Sequence, residues 1–331
     1  MNFRNADIAT TSPGFWRRQQ SSQRSVFGIL ESSMSALLSK YPDSLPDLRP
    51  STTVVVTSDY SGEHQSATHS VLSFLIIDLA TCRSWDDLRI NARQKFLQDN
   101  RRMSFKDLRD RRRQLALPAF LDAANRLNGL SFTVAIDKGI NTLFDGSCPM
   151  DLSNPDFSEF RKWTPGTLEK TFRVVHLLSF LLAGMLRANQ NVLWFTDQDS
   201  IAANPTRLAS LTKLVTWVSS GYLKVDLGHL RCGTTECDDG SQRIEDLAAI
   251  PDLVAGAFAE QLVLDAAAPV AAPGRVFWIS RNDFSPKSSA IIRWLVDTEH
   301  PLKRLVVRLD PGESSASTIV SWYHFRNQSG T

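Results

Sequence analysis

The chain has 331 residues, 42% of them hydrophobic and 22% charged, so it is long and apolar enough for a packed core and is not a disordered chain. Lys and Arg number 37 against 35 Asp and Glu, and the net charge of +2 makes any basic surface a local matter rather than a property of the whole molecule. The four cysteines, Cys82, Cys148, Cys232 and Cys237, are too sparse for a secreted disulfide scaffold and read as reduced thiols.

Residues 1–23 are polar. A helical stripe follows, with Val26, Ile29, Leu30, Met34, Leu37 and Leu38 on one face, and Pro42, Pro46 and Pro50 then read as a linker. Residues 1–50 are therefore expected as an N-terminal arm, a surface for protein partners or a second copy of the chain. From Thr52, "TTVVVTSDY" reads as a strand. "SVLSFLIIDLA" (70–80) reads as a second, joined to the first as an antiparallel hairpin. The polar, basic segment after Trp85 is expected to hold a third strand. A helix is predicted over about 107–127, closed by Asn128-Gly129.

"SFTVAIDKG" (131–139) is the next strand, followed by a helix over 167–188, the strand "NVLWFTDQDS" (191–200), a helix over 205–219 and a polar loop around Cys232 and Cys237. His229, Cys232 and Cys237 lie close together but match no common zinc spacing, so zinc is not expected. An Ala-rich helix is predicted over 250–264. Residues 266–331 are expected as a C-terminal extension with strands at 275–280, 305–309 and 318–325 and a helix at 288–297, a second surface open to protein partners. The most apolar run, 174–186, contains His176 and is too short to span a bilayer. No signal-peptide core is visible at the N-terminus, and the sequence predicts a soluble cytoplasmic protein with no membrane partner.

This element order is α/β. The first strands are hairpin-linked and the later ones cross over through helices, which predicts a mixed sheet with helices on both faces. Sites in such sheets form at the carboxyl ends of strands. Three predicted strands end in acid: one at Asp59, one at Asp137, one at Asp197 with Asp199. A single Asp there is ordinarily a turn former or the N-cap of the next helix. Several in one sheet point to a shared cation, because clustered carboxylates resist ionising together unless one neutralises them. Oxygen ligands suit Mg²⁺ or Mn²⁺, and two such ions about 4 Å apart can activate water and stabilise the leaving oxygen of a phosphodiester. Asp252 follows Pro251 and opens the predicted Ala/Gly-rich helix, whose small residues would let it lie close on a sheet. The plainer reading of Asp252 is an acid complementing a helix N-terminus.

The order of elements with these acidic positions resembles the ribonuclease H-like superfamily and, more narrowly, the bacterial domain-of-unknown-function family 3800. That family's Asp-Glu-Ser-Gly on the first strand is matched by Asp59-Tyr60-Ser61-Gly62, its mid-strand acid before Lys by Asp137-Lys138, and its late ADLVAGA helix by "PDLVAGAFAE" (251–260). The resemblance covers about residues 52–265, so a ribonuclease H-like domain is placed at 51–265. It implies a metal-dependent nuclease in which Asp59, Asp137 and Asp252 hold Mg²⁺ or Mn²⁺, with Asp197 or Asp199 as a further ligand and Lys138 neutralising a phosphate. Asp59 and Asp137 are expected on adjacent parallel strands. Tyr60 departs from the family's Glu. Glu63, three residues on, is the candidate substitute ligand, and a catalytically inactive binding or scaffold protein is the competing class.

Between Arg89 and Arg113 the chain is rich in Arg and Lys, offset by Asp99, Asp107 and Asp110. This segment reads either as a solvated basic face or as a phosphate-contacting surface for nucleic acid formed by Arg101, Arg102, Arg109, Arg111, Arg112 and Arg113. His64 and His69 flank the first turn and read as surface histidines. No Gly-rich phosphate loop or nucleophile elbow points to other phosphate chemistry.

Overall fold

The computed structural model describes residues 16–17, 26–144, 154–266, 285–297, 299–312 and 317–323. Helix α1 (Val26–Lys40) buries Leu30, Met34 and Leu38 of the predicted stripe together with Phe27, which lies outside it, while Val26, Ile29 and Leu37 are half-buried. Strands β1 (Thr53–Ser61) and β2 (His69–Asp78) form the expected antiparallel hairpin, with Val56 opposite Ile76. The hairpin needs a glycine after β1. Gly62 has φ of +83°, and a Cβ there would lie 2.1 Å from the carbonyl oxygen of His69.

The segment expected to hold a third strand is instead helix α2 (Arg83–Phe96). Its buried positions, Trp85, Arg89, Ala92 and Arg93, do recur at helical spacing, but two of them are arginines, so no apolar period marks the helix. Both guanidiniums turn inward to Asp246, which is fully buried: Arg93 Nη2 lies 2.5 Å from Oδ1 and Arg89 Nη1 3.2 Å from Oδ2.

Helix α3 (Arg111–Ala124) starts at Asp110, whose carboxylate accepts the Arg113 N–H at 3.0 Å. It ends before Asn128-Gly129. Gly129 opens strand β3 (Gly129–Asp137), where a Cβ would lie 2.3 Å from the Ile76 carbonyl oxygen, so this glycine serves a close strand approach rather than a helix end. Helix α4 (Pro165–Met185), strand β4 (Asn191–Thr196) and helix α5 (Pro205–Tyr222) follow as expected, with Thr164 and Asn204 as N-caps.

The polar loop around Cys232 contains strand β5 (His229–Thr234). His229 and Cys232, three residues apart on that strand, face opposite sides. Helix α6 (Arg243–Ala266) begins well before its predicted start, and helix α7 (Pro286–Val296) and strands β6 (Leu302–Pro311) and β7 (Thr318–Tyr323) complete the described chain. The strand predicted at 275–280 lies outside the described residues.

The seven strands form one mixed sheet in the order β5-β4-β1-β2-β3-β6-β7. β4 and β5 add parallel to β1, and β6 adds parallel to β3. The β2–β3 and β6–β7 pairs are antiparallel. The C-terminal strands thus lengthen the same sheet. Helices cover both faces, which is why β1 and β3 are buried along most of their length on both sides, polar Thr57, Ser58, Ser131 and Thr133 included. One core packs α1, α4 and α5 (Leu30, Leu178, Leu214) on Val54, Val56 and Phe132. The other packs α2, α3, α6 and α7 (Trp85, Phe120, Phe258, Ile291) on Val55 and Ala135. Among the described residues one helix, Arg243–Leu264, is long and apolar enough to cross a membrane; it lies mostly buried within the second core.

Candidate metal centre

Asp252, expected at a helix N-terminus, sits in the third turn of α6, and Pro251 is inside the helix. Capping therefore does not explain it. Proline has no N–H, so the carbonyl of Leu247, four residues back, lacks its helical partner. The Thr57 hydroxyl donates to that carbonyl at 3.0 Å. This bond fastens α6 to β1 two residues before Asp59. Residues two apart on a strand share a face, so Asp59 emerges under α6.

Three carboxylates lie within electrostatic reach of one another there, although their oxygens are not all within 4.8 Å. Asp59 comes from β1, Asp252 from α6, and Asp197 from the residue after β4. Burial, and then the charges of Asp252, Asp197 and Asp199, push the Asp59 carboxyl well above the usual carboxylate range, against a smaller opposing pull from Lys170. Asp252 is pushed up to about 6, first by burial and further by Asp197. The Phe105 N–H, donating to Asp252 Oδ2 at 2.7 Å, the Ser104 hydroxyl and the charge of Lys106 work in the opposite direction. Asp197 stays exposed, with Oδ1 accepting the Gln198 N–H at 2.8 Å and facing the Thr235 hydroxyl at 3.5 Å. Such a group is an oxygen-donor set short of positive charge, the chemistry that suits Mg²⁺ or Mn²⁺.

A second group of charges faces α4. Lys170 forms ion pairs with Asp199 and Glu63, and its ammonium lies 4.8 Å from the Tyr60 ring centroid. Asp199 and Glu63, both expected as metal ligands, are thus engaged by a lysine that nothing in the local sequence singles out. Tyr60 alternates to the opposite face from Asp59. Its hydroxyl lies 2.7 Å from Ser58 Oγ and 3.2 Å from Thr196 Oγ1, and burial and the Asp199 charge keep the phenol neutral.

Asp137 does not join Asp59. β2 lies between their strands, with Asp59 opposite Ser73 and Asp137 opposite His69. The two acids are therefore offset by about 13 Å along the strands and about 10 Å across them. Lys138 goes with Asp137: its ammonium donates to the His64 carbonyl at 2.6 Å, away from Asp59. Asp137 instead meets His69 and Asp310. His69, expected at the surface, is only 4% exposed. Its Nε2 lies 3.7 Å from Asp137 Oδ2 and 3.5 Å from Asp310 Oδ1. Two signals were available in the sequence. His69 shares the inward parity of Val71 and Leu75, and Asp310 is a fourth acid at the end of an apolar strand.

The basic segment is largely neutralised. Arg101 pairs with Asp99 and Asp110, Arg102 with Glu245, Arg112 with Asp99, and Arg113 with Asp107. Of the candidate phosphate contacts, Arg109 and Arg111 are exposed and have no ionic partner among the described residues. The loop between α2 and α3 is nonetheless fixed beside Asp252. Phe105 packs on Gly256, where a Cβ would lie 2.3 Å from its ring, and the Lys287 ammonium sits 3.7 Å from the centroid of that ring.

The chain matches no protein-family model and no curated protein.

Proposed function

We propose that this protein is a divalent-metal-dependent phosphodiesterase acting on nucleic acid, built on a ribonuclease H-like sheet. The observation that carries this reading is the mutual electrostatic influence of Asp59, Asp197 and Asp252, which lie at the carboxyl ends of β1 and β4 and on α6. A hairpin-first sheet, later parallel crossovers and a late helix delivering an acid to the first strand support the ribonuclease H-like assignment. Asp59, Asp197 and Asp252 would hold Mg²⁺ or Mn²⁺, which supplies an acidified water and stabilises the departing oxygen. Lys106, whose charge reaches Asp252, and the unpaired Arg109 and Arg111 would hold the phosphate backbone without reading bases.

The competing reading is a ribonuclease H-like binding or scaffold component without catalysis. What favours it is Lys170, which already satisfies Asp199 and Glu63 beside Tyr60. Incubating single- and double-stranded DNA and RNA with the full chain in Mg²⁺ or Mn²⁺ separates the two. Hydrolysis that disappears in Asp59→Asn and Asp252→Asn is the expected result. An unaltered chain that cuts nothing in Mn²⁺, with no change in melting temperature on adding it, would overturn the catalytic reading in favour of the scaffold.

A further inference from the structure

His69, Asp137 and Asp310 start β2 and end β3 and β6, three neighbouring strands, and all three side chains fall on the face that carries α6. One ligand atom from each lies within 4.8 Å of the others. The imidazole is nine-tenths buried and aims Nε2 between the carboxylates, yet it comes no closer than 3.5 Å to either. Those separations are too long for good N–H···O bonds, which cluster near 2.9–3.0 Å. The shorter one falls within, and the longer lies just beyond, the ligand–ligand edge of a tetrahedral site, about 3.3–3.6 Å for metal–ligand bonds of about 2.0–2.2 Å.

The surroundings are those of a held ligand set. Thr68 Oγ1 lies 2.7 Å from His69 Nδ1, so it can fix the ring and leave Nε2 to face inward. The Gly139 N–H donates to Asp137 Oδ1 at 2.7 Å, leaving Oδ2 toward the imidazole. Arg308 fixes Asp310 through Nε at 2.8 Å and Nη2 at 2.7 Å, both on Oδ1, the oxygen nearer the imidazole, so Oδ2 is the oxygen without a guanidinium contact. Lys138, the nearby lysine, is turned away to the His64 carbonyl.

We propose that His69, Asp137 and Asp310 form a second metal site, separate from the Asp59 group, that takes one transition-metal dication of the zinc or manganese type. The imidazole nitrogen beside two carboxylate oxygens suits such transition-metal ions, zinc above all, better than Mg²⁺ or Ca²⁺, and three protein ligands leave a coordination position open. The ion joins His69 to Asp310 across 241 residues of sequence, clamping the late strand β6 to the early hairpin. Binding that requires the folded arrangement also stabilises it.

The test uses the full-length chain carrying Asp59→Asn and Asp252→Asn, which silences the other group and so stands apart from the hydrolysis reading. After stripping with EDTA, calorimetric titration with Zn²⁺ should show one equivalent bound with a rise in melting temperature. His69→Gln or Asp310→Asn should weaken it by more than the roughly 100-fold at which outer-shell partners top out, and Thr68→Val by roughly 10- to 100-fold. No binding of Zn²⁺ or Mn²⁺, or an affinity unchanged by Asp310→Asn, would overturn the proposal. Should His69→Gln fail to fold, the visible spectrum of Co²⁺ bound to the unaltered His69 site decides. An intense tetrahedral band supports the proposal, and the weak spectrum of hydrated Co²⁺ refutes it.

Discussion

Replacing Asp252 by Asn changes one atom and should make the metal-free protein more stable at neutral pH. The folded chain holds this carboxyl at about 6 against an ordinary value of 3.8, a rise of about 2 units that corresponds to about 3 kcal/mol. The folded value lies above the unfolded one, so folding favours the protonated acid. That contribution is intact below pH 3.8, fades between 3.8 and about 6, and is gone above it, where the ionised carboxylate is held at a cost. Asn keeps an oxygen to accept the Phe105 N–H and carries no charge. The rise belongs to the carboxylate group as a whole, so about 3 kcal/mol is the ceiling for one substitution. Urea unfolding in EDTA at a series of pH values measures the difference between variant and parent. It should be near zero close to pH 4 and grow to about 2–3 kcal/mol in favour of the variant by pH 7.5. With Mn²⁺ present the advantage should shrink or reverse, because the ion supplies the missing positive charge. A difference that is flat with pH, or a variant less stable than the parent at pH 7.5, would refute the reasoning.

Two further outcomes test the neighbouring structure. Asp246→Ala leaves the buried guanidiniums of Arg89 and Arg93 without their shared carboxylate and should cost about 3–5 kcal/mol in urea unfolding, while a Met/Met/Leu replacement of all three should restore most of it. A loss under about 1 kcal/mol would mean the pair is not the anchor of α2. If nucleic acid binds along the α2–α3 loop, Arg109→Ala with Arg111→Ala should flatten the slope of log affinity against log salt by about 2, measured by anisotropy of a labelled oligonucleotide. Arg101→Ala with Arg112→Ala should leave it nearly unchanged, because both already pair with Asp99. Equal slopes in all variants would return the segment to a solvated face.

The hairpin, the parallel crossovers and the acids at strand ends were legible because apolar runs and turn residues carry them directly. Helix α2 was not, since its inward positions are arginines whose partner, Asp246, lies far along the chain. Strand β5 was missed because its pattern is exposed and half-buried in alternation on a polar edge, with little apolar signal. Within the site, Asp59, Asp197 and Asp252 could be named from the sequence, but their grouping could not. Strand order decides which acids meet, and β2 inserted between β1 and β3 sends Asp137 to His69 instead. Lys170 was invisible for a related reason: a lysine in the first turns of a helix gains meaning only from what lies opposite it.

Helix α6 is rich in alanine and glycine where it crosses the sheet, and such a surface offers many nearly equivalent seats. A helix with a complete ladder of internal bonds would have little reason to prefer one seat over its neighbour a turn away. The missing N–H at Pro251 removes that indifference. It leaves one carbonyl, on Leu247, that must find a donor elsewhere, and Thr57 is the hydroxyl it finds. The defect acts as an index mark: the helix sits where its gap meets the strand's hydroxyl, and the carboxylate of Asp252 is carried to Asp59 by that alignment. The spacing between two charges is thus set by a pair of uncharged residues, one of which contributes only by lacking a hydrogen.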